Sequence, residues 1–203
     1  MKVTNKLILI FAAFLVLGVF GNMWYTNRGP FQGNRVAGVP SGHLRAMHDD
    51  GGHLDLLLAH RGGVSYNFYG QQVMVYIAYY ERDELVLHEL VTGISTGTTP
   101  IELSGATIWG ITTEEGARRE LRVRVNIGGG AGSGYFDFSS IDFEPGSFAG
   151  GPATMADTRI EPGRRYVLHI WQTGATFWVD GDVFNPGRLR ENEKTAILYI
   201  VFE

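Results

Sequence analysis

The chain contains no cysteine. That excludes a disulfide framework, thiol catalysis, iron–sulfur clusters and cysteine-ligated zinc. Charge is scarce as well: Asp, Glu, Lys and Arg make up 19% of 203 residues, against about a quarter in an average soluble domain. Lysine occurs only at Lys2, Lys6 and Lys194, and 17 basic residues stand against 21 acidic ones, a balance that excludes a polybasic nucleic-acid binder. No fixed-period repeat is present, so solenoids and propellers are not indicated. What remains is a chain of 44% hydrophobic residues with 28 glycines. Its length suits one domain with a sizeable core.

The longest apolar run is at the N-terminus. Lys2 and Lys6 precede uncharged residues 7–25, from Leu7 through Phe20 to Trp24 and Tyr25. As a helix rising about 1.5 Å per residue, this run covers about 28 Å, close to the hydrocarbon thickness of a bilayer. Trp24 and Tyr25 stand where amphipathic rings favour the interface, and the two lysines place the start in the cytoplasm. The rival is a cleaved signal peptide, for which residues 7–20 have a suitable length and Val19 and Gly21 a suitable cleavage pattern. Because the apolar stretch continues past Gly21, an uncleaved anchor is expected. From residue 30 onward there are 14 basic against 21 acidic residues. The remainder is thus expected to be an acidic periplasmic or extracellular domain that does not attract nucleic acid.

Residues 1–28 are therefore read as the anchor, 29–63 as a linker with a short helix, and 64–203 as the folded domain. Gly29, Pro30, Gly33, Gly38 and Pro40 mark an irregular linker. Ser41 could cap a helical turn running through Met47. Leu54, Leu57 and Leu58 stand at i, i+3 and i+4, an apolar stripe of helical period. From Val64 the period is two. Residues 73–80 (VMVYIAYY) are apolar on both faces, as in a doubly covered strand. Leu121, Val123, Val125 and Ile127 alternate with Arg122, Arg124 and Asn126, a half-buried strand with an arginine face. Further strands are expected at 85–90, 135–138, 165–172, 176–179 and 195–202. Many short strands separated by Gly-bearing turns imply a mainly β fold, a β-sandwich of jelly-roll type.

Residues 162–184, PGRRYVLHIWQTGATFWVDGDVF, place a strand, a short turn, and a second strand ending in Val179-Asp180-Gly181. This segment resembles concanavalin-A-like and laminin-G-like jelly rolls. The resemblance implies the sandwich fold and, from the behaviour of those families, glycan or protein binding. Asp180-Gly181 is independently a good turn pair. The jelly-roll glucanases carry an E-x-D-x-x-E strand motif. The segment around Asp142 keeps only the middle aspartate, with Ser140 in place of the first glutamate. Residues 94–100 also resemble the early part of L,D-transpeptidase domains, whose nucleophile is a cysteine that this chain lacks.

Several constellations are weighed against plainer readings. His43, His48, His53 and His60 lie within one 18-residue stretch with Met47, Asp49, Asp50 and Asp55. Imidazole, carboxylate and thioether donors suit Cu, Zn or Ni, but the spacings match no standard zinc pattern and Gly51-Gly52 interrupts them. Gly93-Ile94-Ser95-Thr96-Gly97 fits G-x-S-x-G, yet that motif requires a strand-to-helix elbow, and Pro100 follows. The run GGGAGSG at 128–134 lacks the Lys-Ser/Thr ending of a phosphate loop and is read as a flexible hairpin loop. Asp137, Asp142 and Glu144, or Asp180 and Asp182, could face one another as a glycosidase pair or bind calcium; loop solvation is the default. Trp109 and Trp171 suit a core, whereas Trp178 alternates with Thr176 and Asp180 and is the candidate exposed interface anchor.

The expected role is a non-enzymatic accessory or structural subunit, single-pass with its N-terminus cytoplasmic. Its sandwich would bind protein partners in a larger membrane complex of respiratory or photosynthetic type. A membrane-tethered carbohydrate-binding module is the alternative, and a hydrolase using Ser95 with His88 or His169 ranks last. No cofactor and no nucleic-acid partner are implied.

Overall fold

In a computed structural model of the chain, residues 2–47, 58–112, 119–141, 150–152, 157–174 and 182–203 are described. A long helix α1 (Lys2–Tyr25) leads through a 3-10 turn, Gly29–Phe31, into two antiparallel sheets. The strands are β1 (His43–Ala46), β2 (Leu58–Gly70), β3 (Gln72–Glu81), β4 (Glu84–Ser95), β5 (Ile101–Thr112), β6 (Glu120–Ile127), β7 (Gly130–Asp137), β8 (Gly150–Pro152), β9 (Thr158–Arg159), β10 (Arg165–Gly174) and β11 (Asn192–Phe202). One sheet has the order β7-β6-β5-β2-β1-β9, the other β4-β3-β11-β10-β8. A four-residue helix α2 (Pro186–Leu189) follows β10.

Period-two patterning puts the apolar set of each sheet into one shared interior. Val64, Tyr66 and Phe68 of β2 and Leu121, Val123 and Val125 of β6 face Val73, Val75 and Ile77 of β3 and Leu198, Ile200 and Phe202 of β11. The arginine face of β6 lies outside, as its alternating burial shows. β3 and β11 are covered on both sides. Ala78, Tyr80, Ile197 and Tyr199 point away from the interior and are buried under Val183 and Leu189. The doubly apolar run of residues 73–80 thus has a physical cause in the 182–190 segment laid across it.

Two readings of local structure are corrected. The helical turn expected from Ser41 to Met47 is instead the strand β1, in which Leu44 pairs with Tyr66 of β2 and Thr158 of β9. Leu58, expected in a helical stripe, starts β2 and pairs with Thr112. Leu54 and Leu57 lie outside the described residues. Strand pairing therefore begins at His43, inside the segment assigned to the linker. The 176–179 strand and the Val179-Asp180-Gly181 turn also lie outside the described residues.

The glycine-rich run is mostly strand. Only Gly128 and Gly129 adopt positive φ, 46° and 101°, where a side chain would be strained. From Gly130 the chain pairs with β6. Gly132 and Gly134 share the inward face with Phe136, and they let β4 lie directly on β7. A Cβ at Gly132 would stand 2.8 Å from the Gly93 carbonyl oxygen, and one at Gly134 would collide with the Val91 carbonyl. These glycines are thus a packing requirement where the two sheet edges meet. Gly134→Val is expected to destabilise the domain by about 1–3 kcal/mol through overpacking. Gly130→Ala, whose Cβ meets only ordinary contacts, should change stability by less than about 1 kcal/mol. Urea unfolding of both variants checks the contrast.

Candidate functional site

The most constrained polar structure in the molecule joins the apolar helix to the sandwich. After Tyr25 the Thr26 hydroxyl donates to the Asn22 carbonyl at 2.7 Å, and Asn27 turns the chain with a φ of 50°. Asparagine tolerates this left-handed backbone better than most residues. Residues 26–42 then fold into a collar rather than a free linker. The Gly38 amide donates to the Thr26 carbonyl at 2.8 Å, closing the collar on the helix end.

Two buried asparagines hold the collar. Asn67, on the outward face of β2, is fully buried. Its Nδ2 donates to the Val36 and Val39 carbonyls at 2.9 and 2.6 Å, and its Oδ1 accepts from the Val36 amide at 2.7 Å. Its carbonyl accepts from the Gly42 amide at 2.7 Å, and the Gly42 carbonyl accepts from Ile160 at 2.7 Å. Asn27, 2% exposed, donates from Nδ2 to the same Val39 carbonyl at 2.7 Å. Its Oδ1 accepts from Arg35 Nη1 at 3.1 Å. The same guanidinium grips Glu102 of β5 with both fork nitrogens, Nε to Oε1 at 2.9 Å and Nη2 to Oε2 at 3.0 Å. The Glu102 hydrogen bond raises the Arg35 pKa above its ordinary value. Both partners are over a third exposed, so solvent screens the pair. Its planar, bidentate geometry sets register more than energy.

The collar borders an open groove of about 430 Å³ on the outward face of the first sheet. Val36 forms one side, and Arg124, Asn126 and the Gly128–Gly129 turn form the other. Arg124 Nε is engaged with Asn126 Oδ1 at 2.9 Å.

The second organised surface is on the outward face of β4, β3 and β11. The Tyr76 ring stacks near-parallel on His88 and Tyr199, with centroids 5.3 and 5.5 Å away. Ala78, the cross-strand partner of His88, is small enough for His88 to reach over it. His88 Nε2 lies 2.6 Å from the Tyr199 hydroxyl. Arg165 stands 4.8 Å above Phe184 and 5.5 Å from the Tyr199 ring. Burial is the main cause raising the Tyr199 and Tyr80 pKa values, and Arg165 opposes it in both cases. Tyr199 is buried and Tyr76 half-buried, so the cluster seals the fold more than it offers an open stacking face. Beyond it, β4 exposes Leu85, Val86 and Leu90.

The two described candidate metal ligands, His43 and His60, separate. His43 starts β1 opposite Asn67, with Nδ1 2.9 Å from the Ser41 carbonyl. His60 lies seven residues from Asn67 along β2, about 23 Å at strand rise, too far for the two to share an ion. His48 and His53 lie outside the described residues. Among the described residues, no group of three or more His, Asp or Glu side chains could hold a metal.

Ser95 ends β4, its Oγ accepting from Gly97 at 3.4 Å, and strand β5 follows. His88 lies seven residues away on the same strand, about 23 Å distant. His169 is buried, with Nδ1 3.5 Å from Trp109 Nε1. Neither can serve Ser95 as a base. Asp137 accepts from the Ser139 amide and hydroxyl at 2.9 and 2.6 Å, and Asp182 accepts from the Phe184 amide at 3.2 Å. Both shape local turns. Asp142, Glu144 and Asp180 lie outside the described residues, as does Trp178. Trp109 and Trp171 are core residues.

Sequence reasoning missed both the collar and the aromatic cluster. Asn67 and Val36 are 31 residues apart, and no local pattern joins them. Comparison with known protein families, curated proteins and solved structures found no match for this chain. Asn67→Leu is expected to leave the Val36 and Val39 main chain unpaired and cost about 2–4 kcal/mol. It should also expose residues 26–42 to proteolysis at temperatures where the sandwich remains folded. Thermal unfolding combined with limited proteolysis reads both effects.

Proposed function

We propose that this protein is a non-enzymatic, single-span membrane subunit whose sandwich is a docking domain, held in fixed orientation outside the cytoplasmic face, for partners in a larger membrane complex. The observation that carries this reading is the collar. A module that searches for soluble ligands is served by a flexible tether. Here buried Asn27 and Asn67 and the Arg35–Glu102 fork spend specific interactions on fixing the helix end to the sheet. Fixed orientation has value when partners share the same membrane and are met from one side.

Two further features support it. Helix α1 is long and apolar enough to cross a bilayer, and the rest of the chain does not bury its apolar stretch. Trp24 and Tyr25, both over half exposed, suit the interface. Strand β4, an edge of its sheet in the described strand order, presents Leu85, Val86 and Leu90 outward. This is an apolar ridge of the kind that partners cover.

The tethered carbohydrate-binding reading draws on the Tyr76, His88 and Tyr199 rings; His88 is exposed, but the burial of Tyr199 and the mutual stacking of the rings favour it less. Purification of the tagged chain from native membranes in mild detergent tests the proposal. Stoichiometric partners are expected, and they should be lost when a six-residue Gly/Ser insertion between Gly38 and Val39 relaxes the collar. A lone monomer, or partners indifferent to the insertion, would count against it.

A further inference from the structure

Helix α1 carries a groove of about 450 Å³ along one side. It is lined by Phe11, Phe14, Leu15, Gly18, Val19 and Met23. Asn22 and Arg28 form the mouth. Both polar groups of the lining thus stand at the sandwich end of the groove, and from Val19 back to Phe11 the lining carries no polar side chain. From Asn22 to Phe11 is 11 residues, about 16 Å along the axis and close to half the roughly 30 Å hydrocarbon thickness. The groove has the depth of one leaflet.

The mouth is built by the turn that starts the collar. Arg28 donates its amide to the Met23 carbonyl at 2.8 Å, which folds residue 28 back over the last helical turn. Its guanidinium runs past Gly38, 3.2 Å from where a Cβ would stand. Arg35, Arg45, Arg122, Arg164 and Arg190 each hold a carboxylate. The Arg28 side chain makes no hydrogen bond or ion pair with the described residues. An unneutralised guanidinium at the polar end of a leaflet-deep apolar slot complements a phosphodiester joined to an acyl chain.

We infer that this groove is a binding site for an anionic phospholipid, its phosphate on Arg28 and Asn22 and one acyl chain laid over Gly18. The inference rests on α1 spanning a membrane. Gly18 fits the proposal: a Cβ there would have nothing within 4 Å, so internal packing does not demand glycine, and the missing side chain leaves room for an acyl chain on the helix surface. A lipid seated here would touch the collar through Arg28, coupling headgroup binding to the helix–sandwich joint.

The test uses the full chain in detergent, titrated with phosphatidylglycerol or phosphatidylcholine and read by native mass spectrometry. Phosphatidylglycerol should be retained in preference to phosphatidylcholine, and inorganic phosphate alone should not compete. Arg28→Gln should weaken retention by about tenfold, the scale of one charge-assisted hydrogen bond. Gly18→Leu should fill the slot and weaken both lipids, with near-ultraviolet circular dichroism confirming the fold. Equal retention of the two lipids, competition by phosphate alone, or unchanged binding by both variants would overturn the site. A lipid-free dimer would overturn it too, by giving the groove to a second copy. Wild-type protein that stays out of the membrane fraction on expression would overturn the span, and the lipid site with it. That outcome is distinct from a membrane-inserted protein without lipid selectivity.

Discussion

A fully buried carboxamide on the outward face of a sheet needs partners for both its ends, because an unpaired polar group away from water costs about 1–3 kcal/mol. Asn67 finds them in the main chain of Val36 and Val39. That requirement fixes where residues 36–39 must lie, and much else follows. Asn27 reaches the same Val39 carbonyl from the helix end, and Arg35 bridges Asn27 to Glu102. The helix, the collar and strands β2 and β5 become one connected unit. Strand β1 enters beside Asn67 through the Gly42 amide, and Ile160 locks onto the Gly42 carbonyl. Without the asparagine, residues 36–39 would lose their direct side-chain anchor on β2.

The sandwich supplies the rigid body to which that joint attaches. Its interior is filled by the alternating apolar faces of both sheets, with Trp171, Tyr66 and Phe202 among its largest fully buried side chains. Glycines sit where backbones or rings need the space. Gly62 leaves room for the Trp109 ring, and Gly132 and Gly134 admit β4 onto β7. The outward face of β3 and β11 is covered by Val183, Leu189 and the aromatic cluster at Tyr199. Such a body transmits orientation, as the proposed docking role requires.

The fold was legible where a periodic signal was long. The apolar helix, the clean alternation of β6 and the doubly apolar β3 could be read from residues alone, because each pattern repeats over seven residues or more. Strand β1 could not. Four residues carry no usable period, and its strand character comes from pairing with β2 and β9. The Leu54, Leu57 and Leu58 stripe suggested a helix, yet Leu58 is drawn into β2 by its pairing with Thr112. The GGGAGSG run read as a loop because glycine has low strand propensity; close sheet contact decides its conformation instead. The candidate sites were less legible still. His43 and His60, close in sequence, sit far apart on β1 and β2, whereas the collar is assembled from residues 27, 35, 67 and 102, which no spacing rule links.

The central claim is that the helix end and the sandwich move as one body. Spin labels at Tyr25 and at Tyr135, both exposed, report it directly by pulsed electron–electron distance measurement in lipid nanodiscs. A single narrow distance distribution is predicted, broadening when Asn67→Leu is introduced. A broad distribution in the otherwise unaltered protein would contradict the account.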